Sequence, residues 1–214
     1  MSQALLWQLW TPYAGDTAES RDEWARLIAR WSEPHRGYHT LEHLLLMLTL
    51  LAEQRAAPET MLAAWYHDAI YDPTSGSNEH DSAELARESL KELGLAIYAS
   101  RVAELIELTA THDCPPGDEQ AALLLDADLA ILGQPPALYL RYVDGVRREY
   151  AHVSDDEFRT ARADIMRGFL ARDRIYLHPA FDSLEAKARA NVTAELSIYG
   201  DAAGDDTQQG NDAE

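Results

Sequence analysis

The sequence predicts an all-α fold, a single-domain helical bundle, on three observations. Apolar residues recur at helical spacing through most of residues 20–198. Prolines and glycines punctuate that pattern between segments. No alternating β-branched run and no Asn-Gly hairpin signal occurs. With 214 residues, 46% of them hydrophobic, the chain is long enough to bury a core of its own.

The elements follow in order. The opening MSQALLWQLWTPY has neither a basic start nor a long apolar stretch, so it does not read as a secretory signal. Ser20 to Glu23 (SRDE) reads as a capping box that opens a helix. Helical periodicity then covers residues 40–56, 58–70, 79–93, 97–112, 119–132 and 136–151. A second capping box, Ser154 to Glu157 (SDDE), opens the next helix, and a last one runs over 180–198. Gly94 and Gly133 stand where C-terminal stops are expected, and Pro58, Pro73, Pro115, Pro116, Pro135 and Pro179 fall between segments. After Tyr199 the chain reads GDAAGDDTQQGNDAE, with five acids, no base and no apolar periodicity. Such a segment cannot bury enough surface to offset its ordering entropy. The expected organisation is one helical domain over 1–199 and an acidic disordered tail over 200–214.

The formal charge of −19 argues against a nucleic-acid polymer as partner. A small phosphorylated substrate remains compatible, because a divalent cation inverts the local field. The longest apolar run, LLLMLTLLA at 44–52, is about half a membrane span, so no membrane association is expected. One cysteine, Cys114, sits in a loop before PPGD; it permits no internal disulfide and suits a reducing cytoplasm. The five tryptophans lie at helical spacing and read as core, or as an interface in a homo-oligomer.

Several polar residues interrupt this apolar pattern. GYHTLEHLLLML places His39 and His43 four apart, on one helix face once the helix has begun by His39. His43 heads the apolar run and points inward or at its edge. MLAAWYHD ends on His67 and Asp68. Such neighbours project about 100° apart on a helix, so one is exposed or both converge at a rim between helices. In AALLLDADLAILG, Asp126 and Asp128 stand among aliphatic residues, and burying a carboxylate is costly unless it is paired or bound to a cation. Being about 200° apart, one of the two can face the core while the other faces out. His43, His67, Asp68 and one aspartate of the pair would supply two imidazoles and two carboxylates from three helices. That is a mixed nitrogen and oxygen set for a divalent transition metal, with positions left for water.

At this point the sequence resembles the HD superfamily of metal-dependent phosphohydrolases, whose H…HD…D pattern is met by His43, His67-Asp68 and Asp128. Within it the likeness is to a group of small bacterial predicted HD phosphohydrolases. YHTLEH, WYHDAIYDP, NEHDSA, THD, LDADLAILG, VRREY and FLARDRIY carry that likeness over residues 20–198. It implies an HD-type helical domain with His43, His67, Asp68 and Asp128 as ligands. The ADL context favours Asp128 and leaves Asp126 facing outward. One or two divalent ions are implied, from among Mn, Fe, Co, Ni, Zn and Mg.

The resemblance extends to other residues. His39 is similar to the histidine that cyclic-nucleotide phosphodiesterases use as general acid, and reads equally as a residue packed on Tyr38. Asp72 falls where guanosine-tetraphosphate hydrolases carry a second acid, although Tyr71 replaces their glutamate and YDP reads also as a turn. Glu79 can orient a ligand or serve as a first-turn acid favoured by the helix dipole. His112 can meet a phosphate oxygen or a second metal, or close a helix. Arg36, Arg147, Arg148, Arg162 and Arg172 are candidates for bidentate contact with phosphate, or belong to a salt-bridged surface. His35, His80, His152 and His178 read as solvated. The expected activity is hydrolysis of a small phosphate ester by metal-activated water, with Asp68 also placed to accept a proton or bridge a second ion. Two alternatives stand beside it: an HD-fold di-iron oxygenase, and a non-catalytic module that binds metal or nucleotide.

Overall fold

The computed structural model describes residues 3–205, which form ten α-helices and no β-strand. Residues up to Asp128 form one compact unit and those from Leu129 onward a second. None of the described helices alone is long and apolar enough to cross a membrane.

The first unit holds α1 (Gln3–Ala14), α2 (Ala18–Arg30), α3 (Leu41–Glu53), α4 (Pro58–Tyr66), α5 (Asn78–Glu92), α6 (Ala96–Glu107) and α7 (Glu119–Asp128). Helix α2 starts earlier than its SRDE pattern suggests. Thr17 is the N-cap, accepting from the Ser20 amide, because the Ser20 hydroxyl is buried and serves the Trp10 indole and the Gly15 carbonyl. Thr40 caps α3, so His39 precedes that helix and does not share a helix face with His43. Proline at the first position starts α4, where every residue from Thr60 to Tyr66 is buried. In α7 the same holds from Ala121 to Ala127. A helix apolar on all sides belongs at the centre, and α3, α4 and α7 pack on one another there. Trp10, Trp31 and Trp65 are fully buried among them; the Trp10 and Trp65 rings meet edge-on at 5.3 Å, and the Trp31 indole donates to the Trp65 carbonyl. Gly94, at φ +73, closes α5 in the left-handed conformation that a helix end favours, and α6 folds back against α5.

In the second unit a 3-10 turn (Leu129–Gly133) leads to α8 (Pro136–Glu149), α9 (Asp155–Ala171), a short turn (Pro179–Phe181) and α10 (Asp182–Asp205). The SDDE capping box forms as its pattern requires, with Ser154 and Glu157 exchanging side-chain and backbone bonds. Gly133 does not end a helix by a left-handed residue. A Cβ there would lie 2.6 Å from the Leu184 Cβ, so glycine is what lets this turn meet α10. A buried polar cluster joins α8, α9 and α10: Arg162 donates to Glu195 at 2.9 Å and to the Tyr142 hydroxyl at 2.7 Å. Glu195 also accepts from the Tyr139 and Tyr199 hydroxyls. Burial by itself would raise the Glu195 pKa, but the Arg162 guanidinium holds it below the usual carboxylate value.

These contacts correct two of the expected substrate contacts. Arg162 is buried and its donors face Glu195 and Tyr142. Arg147 pairs with Asp155 and donates to the Tyr150 and Val153 carbonyls, so it ties the α8–α9 connection together. Both guanidinium forks are occupied by this unit's own acceptors. Helix α10 also runs on to Asp205, past the boundary expected at Tyr199. The alanines at 202 and 203 favour the extension of a helix already nucleated, against a cost of about 1 kcal/mol for each of Gly200 and Gly204. The rest of the expected tail, 206–214, lies outside the described residues.

Candidate metal centre

The centre is built where three helices of the first unit stop or start. Helices α3 and α4 are consecutive and joined by residues 54–57, so they return antiparallel and bring the start of α3 to the end of α4. His43 sits in the first turn of α3, just ahead of the buried Leu44, Met47, Leu48 and Leu51. His67 is the C-cap of α4, and Asp68 follows in the turn beyond. His67 keeps helical backbone angles as the last turn closes, so it and Asp68 still project in different directions, and at this helix end both are buried. Asp128 is the last residue of α7.

Among the described residues, His43, His67 and Asp128 form a group that can hold a metal ion, their donor atoms all lying within 4.8 Å of one another. The two imidazole Nε2 atoms are 3.3 Å apart. Asp128 Oδ1 is 3.1 Å from His43 Nε2 and 3.7 Å from His67 Nε2. Ligands about 2.1 Å from one ion stand roughly 3.0 Å apart in octahedral geometry and about 3.4 Å apart in tetrahedral geometry. The observed edges fall close to that range. Asp68, expected as a fourth ligand, lies outside that group, with its Oδ2 3.2 Å from His67 Nε2.

Hydrogen bonds behind the rings orient them. The Ala64 carbonyl only accepts, so His67 Nδ1 carries the hydrogen and donates at 3.0 Å, turning Nε2 toward the centre. His43 Nδ1 lies 2.9 Å from the Tyr38 hydroxyl, which gives His43 the same option. The fully buried Trp31 ring walls both imidazoles, 6.2 Å from His43 and 5.4 Å from His67. Burial pushes the His43 pKa below the usual imidazole value despite Asp128. Burial works against charge on His67 too, but Asp68 and then Asp128 outweigh it and raise its pKa to about 9. Burial opposes ionisation of both aspartates. Nevertheless His67 and His39 hold Asp68 below the carboxylate range, and His112 and His43 hold Asp128 well below it. Two carboxylates kept ionised beside buried imidazoles make a site suited to a divalent cation.

The remaining candidates separate clearly. His39 lies at the rim, its ring 23% exposed, with Nε2 3.9 Å from Asp68 Oδ2 and its faces near Tyr38 and Tyr71. His112 Nε2 is 2.9 Å from Asp128 Oδ2. Arg36 is not placed to meet a ligand. Its guanidinium is fully buried, donates to the His39, Asp68 and Ala69 carbonyls and to Glu33, and stacks near Trp31 and Tyr71. It pins the His39 loop to the Asp68 turn. Asp72 is exposed, accepting from the Thr74 amide and hydroxyl in a turn. Glu79 is half-buried in the first turn of α5, outside the metal-competent group. Asp126 is not the outward member of its pair but 1% exposed. The expectation failed because α7 has no solvent-facing side at that point. His80 pairs with Glu107 at the surface, and His35 reaches the Tyr71 carbonyl. Tyr38 and Trp31 are contributors that residue-type reasoning did not single out. Tyr38 was signalled by its place in YHTLEH, whereas nothing distinguished Trp31 from the other core tryptophans.

No family model, curated protein or solved structure matches this chain.

Proposed function

We propose that the protein is a divalent-metal-dependent phosphohydrolase acting on a small phosphate ester, such as a nucleotide. The observation that carries this reading is the triad of His43, His67 and Asp128, its donor atoms spaced as ligands of one ion and its rings oriented from behind. The motif order that resembles the HD superfamily supports it. A cation bound there supplies Lewis acidity toward a phosphoryl oxygen and lowers the pKa of water. His39 stands at the exposed edge, within reach of solvent and close to Asp68, where a side chain can protonate a departing alkoxide. Asp68 lies 3.9 Å from His39 Nε2, and in this reading it would accept a proton in the same step. Arg36 keeps the two segments that carry His39 and Asp68 in register. The oxygenase alternative needs further imidazoles at the centre. His112 comes in, but His80 is held at the surface by Glu107, so that reading has less support.

The test is direct. Metals bound to the purified protein are measured by elemental analysis, and phosphate release is screened over a nucleotide panel with Mn, Co, Ni, Zn and Mg. Stoichiometric metal and release from at least one substrate are expected. A protein that takes up none of these ions would refute the reading; one that binds metal without release would favour the non-catalytic module.

A further inference from the structure

Asp128 presents its two oxygens to different partners. Oδ1 faces the imidazoles of His43 and His67, while Oδ2 meets His112 Nε2 at 2.9 Å. His112 lies outside the metal-competent group, so its ring touches the carboxylate from the far side. A carboxylate oxygen only accepts, so the hydrogen of this contact lies on His112 Nε2.

The backbone supplies an independent observation. His112 has φ +54, a left-handed conformation that L side chains seldom adopt. It follows the short turn Leu108–Ala110 that ends α6, and its amide bonds back to the Leu108 carbonyl. Glycine relieves such a position, and this chain uses glycine at the left-handed positions 15, 94 and 117. The other non-glycine case, Arg55, is exposed in a loop, whereas His112 is half-buried with its ring turned onto Asp128. A histidine kept where glycine would be unstrained points to a role for its ring.

We infer that His112 is a positioning residue for the metal centre: by holding Asp128 Oδ2, it fixes the carboxylate so that Oδ1 alone is offered to the cation. Capture through one oxygen leaves more of the coordination sphere for water and substrate than capture through both. It also removes the rotational freedom that Asp128 would otherwise lose on binding. The inference rests on the metal reading above and names a residue that acts through a ligand.

Cobalt(II) is the probe, titrated into chelator-stripped full-length protein in competition with a chromophoric chelator. Wild type is compared with His112→Leu and His112→Gln. Loss of a hydrogen bond to a ligand weakens metal binding by roughly 10–100-fold, and that is the effect expected for His112→Leu. The glutamine amide reaches about as far as Nε2 and donates, so His112→Gln should recover most of the affinity and the wild-type visible spectrum. If His112→Leu does not fold, as judged by circular dichroism of the metal-free protein, His112→Gly replaces it, since its backbone conformation suits glycine. Cobalt affinity in the leucine or glycine variant within about threefold of wild type would overturn the inference. A glutamine variant as weak as leucine would overturn it also, making His112 itself a ligand. Wild-type protein that binds no cobalt would instead fail the underlying metal reading.

Discussion

Replacing Asp128 by alanine tests the centre as both an architectural and a chemical unit. In the metal-free protein Asp128 is a largely buried anion, 2.9 Å from His112 Nε2 and 3.1 Å from His43 Nε2. It is therefore compensated, and its removal should destabilise rather than relieve. Two contacts to a charged group at about 1.5–3 kcal/mol each set an upper figure near 6 kcal/mol. Asp68 remains 3.2 Å from His67, so that imidazole keeps a counter-charge, and the net loss should be about 3 kcal/mol. The pH dependence has a definite sign. Because the folded-state pKa of Asp128 is depressed, its contribution is present above the unfolded aspartate value of about 3.9 and is lost as pH falls through the lower folded value. The gap between wild type and variant should thus hold from neutral pH down to about 4 and close below it. Chemical denaturation in EDTA measures the gap. Repeating it with cobalt at 100 times the wild-type Kd should stabilise wild type by about 2.7 kcal/mol and leave Asp128→Ala unchanged. Equal stability in EDTA together with an equal gain from cobalt would show that Asp128 neither pairs nor ligates.

Three further outcomes are expected. His39→Gln should retain cobalt while kcat falls by roughly 10²–10⁴-fold on alkyl phosphoesters and much less on p-nitrophenyl phosphate, whose leaving group needs no proton; equal losses on both, or lost metal, would reject the acid role. Arg36→Leu should lower stability by roughly 3 kcal/mol through the carbonyls it leaves unpaired, and weaken cobalt binding although Arg36 touches no proposed ligand side chain; unchanged cobalt affinity would show that the Asp68 turn holds its place alone. Glu195→Gln should cost about 3 kcal/mol at neutral pH by leaving Arg162 buried without a carboxylate. Since the folded Glu195 pKa is depressed, that difference should persist above the ordinary glutamate value and vanish as pH falls below it, as melting curves across pH 3–8 would reveal.

How far the fold could be read depended on whether a signal was local. The 3.6-residue pattern and the Ser154–Glu157 capping box depend on neighbours within one turn, and the helices from α2 onward appear where they were expected, whereas α1 (Gln3–Ala14) was not anticipated. Helix ends were less legible. The periodic pattern runs through residue 70, yet α4 stops at Tyr66, and the pattern to 112 gives way at Leu108 to a tighter turn. After Tyr66 the apolar pattern continues because His67 to Ala69 remain buried as the chain turns, whereas after Leu108 the turn carries Ala110 and Thr111 to the surface and leaves His112 half-buried. Ser20 failed as a cap for a related reason. Its hydroxyl is claimed by Trp10, ten residues away, and no window of four residues contains that information.

The centre was legible where a polar side chain broke an apolar run, because burying it uncompensated is costly enough to demand a partner. That rule singles out His43, His67 and Asp128, and it also applies to Asp126, which is more buried than Asp128. Helical geometry alone would have sent one of the two aspartates to solvent. It could not do so, because α7 is covered on all sides, so both carboxylates are enclosed and their position along the helix separates them. Asp128 ends α7 and can turn to the rim where α3 begins and α4 stops, whereas Asp126, half a turn earlier, is held within the body of the helix. His112 lies sixteen residues from Asp128 and reaches it through a backbone conformation that leaves no mark in residue type. A ligand on a helix terminus can thus be found from the apolar pattern, whereas the residue that aims it depends on how the chain turns between helices.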